Sequence, residues 1–197
     1  MIDGAMQPFA LTLEKFLEHA AKWRSRAEVV TAREDGRVDR IGYGGLAARS
    51  RRVSAVLAGL GVGVGDKVAT LAWNTQGHME AWYGAMGMGA VCHTLNPRLT
   101  AEQLAWMAGQ SGARVLIASA DLLPLARRIA ELAPTVERLL VIDGASDVGG
   151  EAGTASLEAL MAEAGEAPAW GDFDETAPCG LCFTSGTTGA PKGVTYT

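Results

Sequence analysis

"KVATLAWNTQGHMEAWYGAMGMGAVCHTL" spans Lys67–Leu95, and its reading decides the fold. Lys67–Trp73 is a short apolar run, His78–Met88 carries a helical pattern, and Ala90–Leu95 is a second short apolar run. Apolar runs of this length, bounded by turn residues, fit strands buried on both faces. The alternation then continues. Thr100 and Gln103 form a capping-box pattern ahead of Leu104, Met107 and Ala108. "RVLIAS" (Arg114–Ser119) reads as the next strand, Leu122–Leu132 as a helix, and "RLLVID" (Arg138–Asp143) as a further strand. Strands joined by single helices predict an α/β fold: a mostly parallel sheet with helices on both faces.

Toward the N-terminus, Leu13, Phe16, Leu17, Ala20 and Ala21 repeat at helical spacing behind Thr12, the expected N-cap. "EVVTAREDGRVDRIGY" (Glu28–Tyr43) reads as an N-terminal β-hairpin turning at Asp35-Gly36. Leu46, Ser50, Val53, Leu57 and Leu60 mark the buried stripe of a second helix that stops at Gly61. Arg49, Arg51 and Arg52 lie on that helix and are expected to form a solvated face. Toward the C-terminus, Gly144–Ser156 is expected to be a surface excursion, followed by a short helix around Leu157–Ala164. A polar loop runs through Pro168 and Pro178, and "CGLCFT" (Cys179–Thr184) reads as the last strand before a glycine-rich loop. There is no internal repeat.

A chain of 197 residues can bury one sizeable core without staples. A net charge of −5 argues against a general nucleic-acid binder, which carries a basic face. The 3 cysteines, an odd number, do not make a disulfide framework. Met1–Lys15 lacks the basic start and apolar core of a signal peptide. The uncharged run Ala81–Cys92 falls short of the roughly 20 residues a bilayer span needs. A cytoplasmic protein with no membrane span is the expectation.

The loop "CFTSGTTGAPKGV" (Cys182–Val194) carries the chemistry. Ser185, Gly186, Thr187, Thr188 and Gly189 offer little bulk and many backbone N–H groups, which glycines allow to converge on an anion. The hydroxyls add donors, Pro191 stiffens the approach, and Lys192 adds a mobile cation. Many donors and one cation suit a polyphosphate, whereas a plain turn requires neither the hydroxyl run nor the lysine. A Walker A loop is a poor match: Pro191 precedes the lysine, Gly193 follows it, and "GVTYT" (Gly193–Thr197) is strand-like instead of helical. A β–loop–β phosphate-binding hairpin is therefore expected. A nucleotide hydrolase with a divergent loop, or a non-catalytic binding or dimerisation module, stands as the alternative.

"FTSGTTGAPKGV" (Phe183–Val194) resembles the signature loop of the adenylate-forming superfamily, which holds acyl-CoA synthetases, peptide-synthetase adenylation domains and luciferases. Upstream, "VATLAWNTQGHMEAWYGAMGMGAVCHTLNPRLTAEQL" (Val68–Leu104) is similar to the fatty-acid and medium-chain acyl-CoA ligase branch. The likeness runs from about Leu11 and is weakest between Gly144 and Ala177. It implies ATP-dependent activation of a medium- or long-chain carboxylic acid to an acyl-adenylate, then thioester formation with coenzyme A. By the resemblance, Thr184, Ser185, Gly186, Thr187, Thr188 and Gly189 hold the β- and γ-phosphates, Lys192 neutralises the leaving pyrophosphate, and Thr184 helps hold Mg²⁺. The resemblance further implies that residues 1–197 are the N-terminal portion of a large AMP-binding domain. The remaining site residues and a lid domain would follow Thr197, leaving this part inactive alone. Homodimerisation through this region is also implied.

Other motifs read as structure. The "CGLC" of Cys179–Cys182 lies in an apolar run and not at the helix N-terminus a redox pair needs. Gly59, Gly61, Gly63 and Gly65 follow a helix and precede a strand, the reverse of a dinucleotide fingerprint. Asn74 and Asn96 follow strands and are expected to cap loops, and His78 and His93 to pack. Met79, Met86 and Met88 with Trp82 are expected to fill core or a subunit contact.

Overall fold

The computed structural model describes residues 4, 9–24, 26–33, 35–144, 153–184 and 191–197. Its chain order is α1 (Glu14–Trp23), β1 (Glu28–Ala32), β2 (Val38–Gly42), α2 (Tyr43–Gly59), β3 (Lys67–Leu71), α3 (Gln76–Gly87), β4 (Val91–Thr94) and α4 (Ala101–Ser111). Then come β5 (Val115–Ser119), a 3-10 turn over Ala120–Leu122, α5 (Leu123–Leu132), β6 (Arg138–Ile142), β7 (Thr154–Ser156), α6 (Leu157–Glu163), β8 (Gly180–Thr184) and β9 (Lys192–Tyr196). Strands β1 and β2 form an antiparallel hairpin of their own. The rest make a 7-stranded sheet in the order β7-β6-β5-β3-β4-β8-β9, parallel throughout except for β9.

The expected β3–α3–β4 unit is present, and the reason for its uninterrupted hydrophobicity is visible in the layering. Val68 packs with Val53, Leu57, Ala81, Ala85 and Leu157 from α2, α3 and α6. Its neighbour Ala69 points the other way, toward Leu104, Ala108, Ala126 and Ile129 of α4 and α5. The same alternation holds on β5, with Val115 and Ile117 on one face and Leu116 and Ala118 on the other. Right-handed crossovers taken in opposite directions land on opposite faces. The chain steps from β3 to β4 one way and from β4 back past β3 to β5 the other. Helices α3 and α4 are thereby divided between the two faces.

Local signals start and stop the helices. Thr75 caps α3 by accepting from the His78 N–H. Thr100 and Gln103 complete the capping box of α4. Gly61 and Gly65 take φ of +77° and +82°, so the glycine run after α2 is a helix stop and a turn into β3, as expected.

Three expectations need correction. Thr12 does not cap α1; Leu13 holds the N-cap position, while the Thr12 hydroxyl donates to the buried Glu14 carboxylate. The excursion Gly144–Ser156 ends in a strand: Thr154 and Ser156 pair in parallel with Leu139 and Val141, and Ser156 then caps α6. A 3-residue strand is too short to show a period.

The arginines of α2 do not form a solvated face. Arg49 pairs with Glu80 and Glu158, Arg52 donates to the Met161 carbonyl, and Arg51 pairs with Glu18 while lying 4.4 Å from the Trp170 ring. These side chains fasten α2 to α1, α3, α6 and the loop that carries Trp170. Their partners are far away in sequence, which is why charge spacing on one helix did not reveal them.

Candidate phosphate-binding hairpin

All the parallel strands end at one edge of the sheet, where open α/β sheets place their ligands. At that edge β8 turns back as β9. The antiparallel register pairs Gly180 with Tyr196, Cys182 with Val194, Phe183 with Gly193, and Thr184 with Lys192. Thr184 and Lys192 thus form the last rung of the hairpin and flank the loop. Directly opposed residues share one face of a strand pair, so the hydroxyl and the ammonium stem start side by side. Both residues are exposed. The Thr184 hydroxyl lies 3.5 Å from the Lys192 carbonyl oxygen, a long contact that leaves it able to serve a ligand. Among the described residues, Lys192 has no carboxylate partner. Ser185, Gly186, Thr187, Thr188 and Gly189 lie outside the described residues. The structure therefore brings together Thr184 and Lys192 of the expected site.

What supports that rung was missed at the sequence level. Phe183 precedes Thr184, and its ring contacts His93 of β4 at 5.2 Å and Trp106 of α4 at 5.8 Å between centroids. A Cβ placed on Gly193 would lie 3.3 Å from the tip of the Phe183 ring, so the glycine after the lysine lets the ring lie close to β9. The available signal was the period-2 placement of Leu181 and Phe183, which turns both toward α4. His93 is fully buried, donates or accepts through Nδ1 with the Ser111 hydroxyl at 3.0 Å, and has no partner at Nε2 among the described residues. Burial pushes the imidazole down to about 4, so it is neutral at neutral pH.

Several of the other groups singled out in the sequence have structural partners. His78 bonds Thr70 at 2.9 Å and the Trp73 carbonyl at 3.1 Å, and burial lowers its pKa. The Asn96 side chain caps its loop by accepting from the Arg98 N–H. Asn74 borders a groove of about 410 Å³ with Val30, His78, Met79 and Trp82. Met86 and Met88 are buried, whereas Trp82 is partly exposed. Cys92 is buried and its thiol is pushed up to about 12, which makes it inert. Cys179 and Cys182 are both free. Three residues apart along an extended strand, their Cα atoms are roughly 10 Å apart, beyond the reach of a disulfide.

A charged cleft of about 610 Å³ opens elsewhere on the protein, bordered by Arg33, Arg49, Glu80, Asp143 and Glu158. It lies beside β6, with β5, β3 and β4 between it and the hairpin. Four strand spacings put it roughly 19 Å away. Its charges are committed to one another: Arg33 to Asp39 and Asp143, Arg49 to Glu80 and Glu158.

Comparison with known proteins identifies the family. Residues 16–197 match the model of a family described as AMP-binding enzyme. A long-chain-fatty-acid–CoA ligase of Thermus thermophilus is 42% identical over 193 residues, covering 98% of this chain and 34% of that protein. A 3-methylmercaptopropionyl-CoA ligase of Ruegeria pomeroyi is 39% identical over 199 residues, covering 98% of this chain and 36% of that protein. An anthranilate CoA ligase crystallised with anthranoyl-AMP shares the fold, with a TM-score of 0.83 at 24% identity over 96% of this chain and 35% of that one. The chain thus spans about a third of the length of the curated relatives it matches. With the family model matched from α1 to the last strand, the chain belongs to the AMP-binding enzyme family.

Proposed function

We propose that the protein carrying this chain activates a medium- or long-chain carboxylic acid with ATP, forming an acyl-adenylate and pyrophosphate, and then passes the acyl group to coenzyme A. The chain would be the N-terminal portion of the large adenylating domain. One observation carries the reading: an exposed lysine and an exposed threonine face each other across the rung that opens a Ser/Thr/Gly loop, in a member of this family.

A carboxylate attacks the α-phosphate poorly because an anion must approach a polyanion and pyrophosphate must leave with added charge. Donors already in place lower that barrier without reorganisation. Lys192 supplies a positive charge near the departing phosphates, and Ser185, Gly186, Thr187, Thr188 and Gly189 supply N–H and O–H donors. The rung keeps Lys192 against Thr184 so that both reach the same group.

The donor set fits Mg²⁺ in a limited way. Thr184 offers one exposed hydroxyl oxygen, and among the described residues no cluster of three or more His, Cys, Asp or Glu could hold a metal alone. Mg²⁺ suits such a site because it keeps waters and takes phosphate oxygens as ligands. When bound, it would spread the charge on those phosphates.

A cytoplasmic setting accords with three free cysteines. No helix among the described residues is long and apolar enough to cross a membrane. We expect a homodimer through this N-terminal region.

The test is acid-dependent exchange of pyrophosphate into ATP by the complete protein. Lys192→Ala should slow it by about 10²-fold or more, the scale for losing one transition-state donor. An unchanged rate removes Lys192 from the chemistry, and ATP hydrolysis without acid would favour a hydrolase.

A further inference from the structure

We propose that Trp106, acting through its contact with Phe183, is a positioning residue for the ATP phosphates. The inference rests on the phosphate-loop reading above and names a residue of α4 that the loop sequence does not contain.

The hairpin tip is weakly held by backbone. The ladder between β4 and β8 covers Cys92 with Gly180 and His93 with Leu181, and ends there. From Cys182 to Thr184 the backbone partner of β8 among the described residues is β9. A two-stranded ribbon is only marginally stable in water and twists freely. Within this chain, side-chain packing is what remains to fix where its end points.

The Phe183 side chain meets that need. On one side its ring lies over His93, which is fully buried and fixed in β4. On another it meets the Trp106 ring at 72°, edge to face. Against β9 it approaches Gly193 closely. Phe183 precedes Thr184, and Gly193 follows Lys192. One ring therefore holds both ends of the loop, and a shift of that ring moves both flanking residues together.

Trp106 is the wall of this pocket that can be altered without dismantling the fold. It is 40% exposed and stands outside the buried cluster formed by Leu104, Ala105, Met107 and Ala108 of the same helix. Its removal leaves that core in place and frees the Phe183 ring toward solvent. Displacements of about 1 Å in a positioning group can cost as much as 10²-fold in rate. An edge-to-face aromatic pair corresponds to a smaller factor, about three- to tenfold.

The experiment uses the complete protein and compares wild type, Trp106→Ala, Trp106→Phe and Lys192→Ala in acid-dependent pyrophosphate exchange. Trp106→Ala should raise the KM for ATP or lower kcat/KM for ATP by about three- to tenfold, with the KM for the acid within about twofold of wild type. Trp106→Phe keeps an aromatic edge and should recover most of the loss. A merely structural role would lower the active fraction and the melting temperature while leaving both KM values alone. An unchanged ATP KM and kcat/KM in Trp106→Ala, or an equal rise in both KM values, overturns the inference. Lys192→Ala separates the two failures. If it is impaired while Trp106→Ala is normal, the positioning role falls and the loop reading stands; if it is normal, the loop reading falls and this inference with it.

Discussion

The two ends of the sheet use charge in opposite ways. Beside β6, Asp143 accepts from Arg33 at 2.9 Å and from the Thr75 hydroxyl at 2.6 Å, while Glu80 accepts from Arg49 at 2.6 Å and from Gln76 at 2.7 Å. Arg49 reaches on to Glu158, completing a chain of partners across α2, α3 and α6. Beside β8 the pattern reverses: Lys192 is exposed, and among the described residues it has no carboxylate within reach. Under the hairpin the support is aromatic and neutral. The difference teaches where to look for function. Charges that satisfy one another hold elements together, whereas a cation left without a protein partner keeps its field for a ligand. By that measure the charged cleft is a structural joint, and the hairpin is where we propose that phosphate binds.

The comparison breaks most visibly at Glu80. Its side chain is 2% exposed, and it receives two donors from different helical positions. Removing one partner of a buried pair costs about 3–5 kcal/mol, because the other charge stays behind. Arg49 would keep Glu158 and some solvent, so Glu80→Ala should cost about 3 kcal/mol, the lower end of that range. Urea unfolding followed by circular dichroism measures it as a fall in the midpoint at constant slope. A loss below about 1 kcal/mol would reduce this network to the level of surface ion pairs, and the contrast with Lys192 would disappear.

His93 sharpens the comparison from the other end. Its pKa is pushed down to about 4 by burial, against about 6.5 in an unfolded chain. Between those values the unfolded state binds the extra proton, so stability rises with pH and is lost as pH falls from about 6.5 toward about 4. From pH 7 to pH 5 the expected loss from this residue is about 2 kcal/mol. His78 is shifted in the same direction by burial, so the informative quantity is the difference between variants. His93→Phe keeps a ring against Phe183 and removes the proton site. Its stability should fall less steeply over that interval than wild type's; parallel curves would mean that the stack tolerates an imidazolium.

What could be read in the sequence followed from local physics. The strands β3 to β6 are short apolar runs, and Thr75, Thr100 and Gly61 start or stop helices through bonds within a few residues. The hairpin was legible too, because "FTSGTTGAPKGV" combines donors, a cation and a following strand. The features that stayed hidden join residues far apart. Arg49 and Glu158 are separated by 109 positions, Trp170 and Ser54 by 116, and Phe183 meets Trp106 from another element altogether. No spacing rule reaches that far. Strand β7 escaped because 3 residues cannot display a period. Thr12 misled because its hydroxyl had a better acceptor in the buried Glu14 carboxylate than any helix N–H as a donor.

The smallest expected effect is the most discriminating. Lys192 opens an exposed edge strand and has no ion-pair partner among the described residues, so its removal deletes no intramolecular charge contact there. Surface substitutions of that kind change stability by about 0.5 kcal/mol or less. Lys192→Ala should therefore unfold at nearly the wild-type urea concentration while slowing adenylation about 10²-fold. Glu80→Ala should do the reverse, losing stability while the molecules that remain folded keep their KM for ATP. A Lys192→Ala protein that unfolds early would mean that the lysine is part of the scaffold after all. Its rate defect would then report damage to the hairpin and say nothing about phosphate.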